Sequence, residues 1–261
     1  VLTVKRSSGV EWNGKVRTVP EALEIPLRWT RPRRIFVNSM SDLFHPDVPE
    51  TFIDEVFRVM AAAKQHTFQI LTKRPERMQQ YCYNRWDVNG KWPPLPNVWL
   101  GVSVEDQKTA DERIPVLLQV PAAVRWLSME PLLGPVNITS IRRTTAGYMR
   151  PLDGRFNCID WVVVGGESGP KAQPMHPDWA RSLRDQCTAA GVPFFFKQWG
   201  QYVGGLGSRN GQFNLQNGCS GAGDKNTHEW GGGVISQRVG KKAAGRILDG
   251  RTWDEMPEVK G

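Results

Sequence analysis

Six short hydrophobic runs punctuate the chain: Ile35–Val37, Phe68–Leu71, Val98–Val102, Val124–Leu127, Trp161–Val164 and Val192–Phe196. They are built of β-branched and aromatic residues and are apolar continuously rather than at every second position. Strands buried on both faces of a parallel sheet read this way. Amphipathic stretches lie between them. Phe52, Ile53, Val56, Phe57 and Met60 mark one face of a helix entered through Pro49. Pro75 suits the first position of a second helix, reaching about Tyr83. Asp106 can cap a third, with Ala110, Ile114 and Leu117 on its inner face. Pro177 opens a fourth that carries Trp179, Leu183 and Cys187, and Gly191 is a natural stop.

Successive runs start roughly thirty residues apart, the length of one βα unit. Right-handed crossovers then build a (β/α) barrel, complete or partial, or an open doubly wound sheet. Six runs without a dinucleotide fingerprint favour the barrel. The pattern predicts an α/β fold, a partial TIM-like (β/α) barrel of about six parallel strands. The barrel domain is expected over 1–200, without its first strand. A Gly-rich, basic and irregular C-terminal extension, 201–261, is expected to pack back on it through Ile247, Leu248 and Trp253. A Trp- and Pro-containing loop, Asn84–Pro96, and a polar insertion, Asn137–Asn157, interrupt the period.

The 261 residues are 39% hydrophobic and include 11 Trp and 10 Phe, enough for a sizeable core, so wholesale disorder is excluded. No apolar run approaches the ~20 residues that span a bilayer. No signal peptide is recognised, and a cytoplasmic protein without membrane partners is expected. Cys82, Cys158, Cys187 and Cys219 are far apart and form no C-x-x-C pair, so reduced thiols are expected rather than a disulfide framework or a local zinc site. A net charge of +8 permits nucleic acid, nucleotides or other anions as partners. It equally suits a basic surface kept for solubility.

Each run ends in a polar cluster. These are Asn38-Ser39-Met40-Ser41-Asp42, Thr72-Lys73-Arg74, Ser103 with Glu105 and Asp106, Ser128 with Glu130, Gly165-Gly166-Glu167-Ser168-Gly169, and Lys197-Gln198-Trp199. In parallel α/β folds the carboxyl ends of the strands share one rim, and ligands bind there. The plain alternative is that exposed βα loops are polar in any case. Gly165-Gly166 can bring backbone N–H groups close to a ligand, or form an ordinary tight turn. Lys73-Arg74 can clamp a phosphate or carboxylate, or pair with Glu105 or Glu130 inside the rim. Asp42, His45 and Asp47 have metal-like spacing, but a turn at His45-Pro46 and a helix start explain them better, and no metal site is assigned. The rim serines have no histidine at a recognisable spacing, so a serine hydrolase is not expected. No Walker-type loop is present.

The blocks FVNSMSDLFH, LTKRPERM, VWLGVSVED, LSMEPLLGP, DWVVVGGESGP, VPFFFKQWG and RVGKKAAGRILDGRTWDE resemble an uncharacterised bacteriophage and prophage protein family, itself similar to radical S-adenosylmethionine (SAM) proteins. The resemblance runs from about Val1 to Glu255. It implies a partial barrel, SAM, and a [4Fe–4S] cluster held by an N-terminal cysteine motif ending in C-x-x-C. Here no cysteine precedes Glu50, so the motif is expected either upstream of Val1 or lost, and its loss would exclude radical chemistry. By position in such a barrel, Asn38, Ser39, Ser41 and Asp42 would meet the methionine part of SAM. Ser103, Glu105 and Asp106 would meet its ribose, and Gly165 and Gly166 the adenine and methionine. Thr72, Arg74, Ser128, Ser168, Gln198 and Trp199 would face substrate, with Lys73, Glu130, Glu167 and Lys197 as catalytic groups.

Three functions follow as expectations. One is a radical-SAM-type enzyme acting on a nucleotide or nucleic-acid-related substrate. A second is a non-catalytic nucleic-acid-binding protein using Arg142-Arg143, Lys241-Lys242, Trp86 and Trp92. The third is a cluster-free barrel hydrolase or lyase, with Glu130 and Glu167 as acid and base and Lys73 or Lys197 as the anion clamp.

Overall fold

A computed structural model of the chain describes residues 3–6, 9–12, 15–85, 94–142, 147–154, 157–207, 212–215, 220–222 and 226–258. A hairpin of β1 (Thr3–Arg6) and β2 (Gly9–Trp12) precedes two short 3-10 helices, Pro20–Ala22 and Ile25–Arg28. Strand and helix then alternate: β3 (Arg34–Val37), α1 (Glu50–Ala62), β4 (Thr67–Thr72), α2 (Pro75–Arg85), β5 (Val98–Ser103), α3 (Gln107–Leu117) and β6 (Val124–Met129). A small hairpin, β7 (Ile141–Arg142) and β8 (Tyr148–Met149), occupies the polar insertion. The alternation resumes with β9 (Trp161–Gly165), α4 (Pro177–Ala190) and β10 (Phe194–Gln198). Trp86, Trp92, Arg143 and Cys219 lie outside the described residues.

The six strands β10-β9-β6-β5-β4-β3 form one parallel sheet, curled into a half-barrel. Every hydrophobic run of the sequence is one of these strands. Local chemistry starts and stops the helices. Asp106 accepts the Thr109 N–H while the Thr109 hydroxyl accepts from the Asp106 N–H, a reciprocal cap at the start of α3. Pro177 opens α4, and Gly191, at φ 67°, ends it in the left-handed region.

The two faces of the sheet bury different chemistry. The convex face packs Ile70, Leu100, Val102, Leu127, Val162, Val164 and Phe196 against the inner stripes of the four helices. Among the described residues no helix follows β6 before β9, and there Val136, Ile138, Ile141, Leu152 and Ile159 supply the cover. The concave face is aromatic. Its cross-strand rows are Phe36–Gln69–Trp99–Val124, then Leu71–Gly101–Trp126–Trp161, then Ser103–Ser128–Val163–Phe195. Gly101 is glycine because the Trp126 ring occupies its Cβ position, 2.5 Å from where that atom would stand.

After β10 the chain builds a second, antiparallel sheet in the order β13-β12-β11-β15-β14. Its strands are β11 (Tyr202–Gly207), β12 (Gln212–Leu215), β13 (Ser220–Ala222), β14 (Thr227–Gly231) and β15 (Val234–Arg238). The Gly-rich extension therefore carries regular structure, which its composition hid. Gly204 lies against Pro177, and a Cβ there would stand 2.9 Å from the Pro177 Cβ. Glycine in this place serves close packing rather than a turn.

A short helix, α5 (Lys241–Ala244), and a tail bring the chain back to the barrel. Leu248 is buried and Trp253 packs edge-to-face on Phe194, as expected. The expected anchoring by the Ile247 side chain is corrected: that side chain is exposed, and only its carbonyl engages, accepting from Trp199 Nε1 at 2.7 Å. Trp253 O accepts from Phe196 N, Glu255 O accepts from Trp161 Nε1, and Met256 lies on the concave aromatic cluster in contact with Arg34. The tail thus crosses the amino end of the sheet from β10 to β3. Among the described residues no helix is long and apolar enough to cross a membrane.

Candidate functional site

Polar strand ends do share the carboxyl rim, but they divide into scaffold and open groups. On the β3 side, Asp42 is saturated. Its carboxylate accepts from Thr72 Oγ1 at 2.8 Å, Arg74 Nη1 at 2.7 Å, Lys73 N at 3.2 Å and Phe44 N at 2.9 Å. Asp42, Thr72 and Arg74 therefore lock the first two strand ends together. Asn38, at φ 60°, turns the chain off β3 and accepts from Ser41 N, and Ser39 is exposed on that turn. An apolar cavity of about 680 Å³ lies beside this turn, between residues 15–29, β3 and α1. Asn38, Ser41, Asp42 and His45 form part of its wall, and Ser39 does not.

At the centre, Glu105 sits between two cations. Lys73 Nζ reaches its Oε1 at 2.5 Å, and Arg113 Nη1 its Oε2 at 2.9 Å. The pairing of Lys73 with Glu105 is one of the two outcomes expected for it. Arg113 went unnoticed in the sequence. Its signal was position, three residues after Ala110 and four before Leu117, a cation on the inner stripe of α3. Asp106 is spent on capping. The Thr109 backbone N–H, followed by its hydroxyl, holds the Asp106 carboxyl below its ordinary range against the effect of burial. Its expected contact with a ribose is not supported.

On the β10 side, Glu130 Oε2 accepts from Lys197 Nζ at 2.7 Å and its Oε1 from Gln198 Nε2 at 2.5 Å. The same amide reaches Ser168 Oγ at 3.3 Å. Gly165 makes room for this cluster, since a Cβ there would stand 3.1 Å from Glu130 Oε1. Three expectations are corrected here. Gly166 gives its N–H to Gln198 O and packs on the Trp199 carbonyl, which fills the place a Cβ would take, so it offers no free donor to a ligand. Glu167 turns to the loop beyond, accepting from Gln173 N at 2.8 Å, and meets neither rim lysine. Trp199 is buried against Phe196 in the convex core and cannot face substrate.

What stands open is therefore two lysines on two recessed carboxylates. The Lys73 and Lys197 side chains are 56% and 53% exposed, those of Glu105 and Glu130 only 11% and 17%. Between the pairs, Ser103 and Ser128 are register partners on β5 and β6. Beneath them the indole N–H groups of Trp99 and Trp126 are buried and have no acceptor among the described residues.

No group of three or more His, Cys, Asp or Glu able to hold a metal is found among the described residues. His45 Nδ1 accepts from Asp47 N, the turn expected of it. Cys82 and Cys187 are buried on α2 and α4, and burial pushes both thiols up, Cys187 to about 12. Cys158 lies before β9, at the opposite end of the sheet from the rim.

One family model, described as Protein of unknown function (DUF5131), matches residues 3–257, and the chain belongs to that family. No curated protein and no solved structure matches it.

Proposed function

We propose, on the premise of that family membership and from the rim itself, an enzyme that holds a nucleotide or nucleic-acid-related substrate across the carboxyl end of its half-barrel. The reaction class we infer is acid–base chemistry, a hydrolase or lyase. The observation that carries this is the repeated lysine–carboxylate pair: Lys73 on Glu105, and Lys197 on Glu130. Both carboxylates are recessed and held by donors, so each stands at a fixed place behind its lysine. Both ammonium groups stand in front of them, able to neutralise a phosphate or a developing negative charge. The hydroxyls of Ser103 and Ser128 lie between the pairs, above a wall of tryptophan.

Resemblance to radical SAM proteins implies a cluster and SAM. Among the described residues the cysteines do not fit that cluster: Cys82 and Cys187 face the convex core from different helices, and Cys158 is at the far end of the sheet. No step is derived through either group. A phage-type protein working in a reducing cytoplasm belongs to the same proposal. It is supported by the resembling sequence blocks and by Cys82, Cys158 and Cys187, which are free thiols.

The test is a panel of nucleotides and short oligonucleotides assayed for binding and conversion. Wild type should bind a member of the panel at or below about 1 mM, the weak end of specific recognition. Glu130→Gln and Lys197→Met should each lower kcat by about 100-fold or more. If no panel member binds, or both variants turn over like wild type, the proposal fails.

A further inference from the structure

The basic turn of the C-terminal extension is placed beside the rim, and the function proposed above makes no use of it. Gly240 and Gly245, at φ 87° and 67°, bracket α5 in backbone that other residues rarely adopt. Main-chain bonds fix the turn to the end of β10: Val239 N and Gly240 N donate to Gln201 O, and Trp199 N donates to Gly245 O. The indole of Trp199 holds Ile247 O as well. This frame brings Lys241, Lys242 and Arg246 around Lys197 and Gln198, in a cleft of about 380 Å³.

The charges of the cleft do not balance. Glu130 answers Lys197, and Asp254 answers Arg246. Lys241 and Lys242 are exposed, and neither has a carboxylate partner among the described residues. Arg246 also lies over the Phe195 ring, 5.1 Å from its centroid, and its Nε is buried without an acceptor among the described residues. Such crowding of cations on a fixed backbone favours an arriving polyanion, because each phosphate oxygen relieves repulsion as well as gaining attraction.

We propose that this cleft is a phosphate-binding subsite in which Lys241 and Lys242, with Lys197 and Gln198 at its inner wall, receive phosphate groups next to the Glu130 end of the rim. It deepens the rim reading, since a nucleotide bound here would present its other end to the lysine–carboxylate pairs. The phosphates can belong to a free nucleotide or to a strand of nucleic acid.

Binding separates the cases. A fluorescein-labelled single-stranded 12-mer is followed by anisotropy and inorganic pyrophosphate by calorimetry, on wild type, Lys241→Ala/Lys242→Ala and Arg28→Ala/Lys64→Ala. The last variant removes equal charge from exposed positions around α1. The cleft variant should weaken whichever probe binds by about tenfold or more and lower the salt slope of the 12-mer by about 1.4, while the control stays within about twofold of wild type. Loss confined to the 12-mer assigns a strand; loss of pyrophosphate as well assigns a free nucleotide. The subsite is overturned if neither probe binds wild type, if the cleft variant binds like wild type, or if the control loses as much. Neither readout needs turnover. If Glu130→Gln leaves catalysis intact while the cleft variant loses both probes, the rim proposal falls and the subsite stands. If Glu130→Gln abolishes catalysis while the cleft variant keeps both probes, the rim proposal stands and the subsite falls.

Discussion

Lys197 Nζ meets Glu130 Oε2 at 2.7 Å across 67 positions of chain, and the strand between them carries a glycine, Gly165, where a side chain would touch the carboxylate. The pair is set by the sheet rather than by long-range attraction. A methyl group at 165 would press on Glu130 at 3.1 Å. Gly165→Ala should therefore shift the carboxylate while leaving the fold in place. The carboxylate would give way by a few tenths of an ångström, so we expect turnover on the rim's substrate to fall by about fivefold, a fraction of the roughly 100-fold that 1 Å of misplacement costs, with the thermal midpoint almost unchanged. A fall in kcat without a fall in stability is the result to look for.

Gly101→Ala should behave in the opposite way. The added carbon would overlap the Trp126 ring at 2.5 Å, in the buried row that joins four strands. Overpacking of this kind costs about 1–3 kcal/mol. Urea unfolding should show a lower midpoint with an unchanged slope.

His176 makes stability depend on pH near neutrality. Its Nδ1 accepts from Asp178 N at the start of α4, which only the neutral ring can do, and its ring packs against Trp179 and Trp230. Burial holds its pKa below the ordinary 6.5 despite the attraction of Asp178. The unfolded chain then takes up a proton before the folded one, so this contribution is complete above 6.5 and is lost as pH falls toward the lowered folded value. Between about pH 7 and pH 5, wild type should lose more stability in urea titrations than His176→Asn, whose amide oxygen can still cap the helix. Equal losses in the two proteins would contradict the assignment.

Trp253 carries the tail's grip on β10. Its carbonyl accepts from Phe196 N, its ring packs edge-to-face on Phe194, and Arg251 lies 3.5 Å over that ring. Trp253→Ala should cost about 3 kcal/mol. It should also raise fluorescence quenching by acrylamide beyond the loss of one indole, because Trp161 depends on the same tail.

Much of this architecture was legible because its signals are local. The six continuous apolar runs became the six parallel strands, and Asp106, Pro177 and Gly191 began and ended helices where their chemistry says they should. What stayed hidden depends on register. Plain alternation from Phe195 through Lys197 puts Trp199 on the concave face. A register shift between Phe196 and Gln198 resets that alternation and sends Trp199 into the convex core. Gly166 likewise looked like an open donor, because nothing in its neighbours announces that the Trp199 carbonyl lies against it. Arg113 was missed because a cation on an inner helical stripe reads as an interruption until its carboxylate partner is found.

The tail's path across the amino end of the sheet also orders events during synthesis. The Trp161 indole N–H and the Phe194 backbone N–H meet their acceptors at Glu255, and the aromatic wall gains Met256 only with the next residue. A ribosome-bound chain that already holds all six strands still displays that wall to its surroundings. Nascent protein should therefore attract chaperones late in translation and shed them abruptly once residue 256 has cleared the exit tunnel.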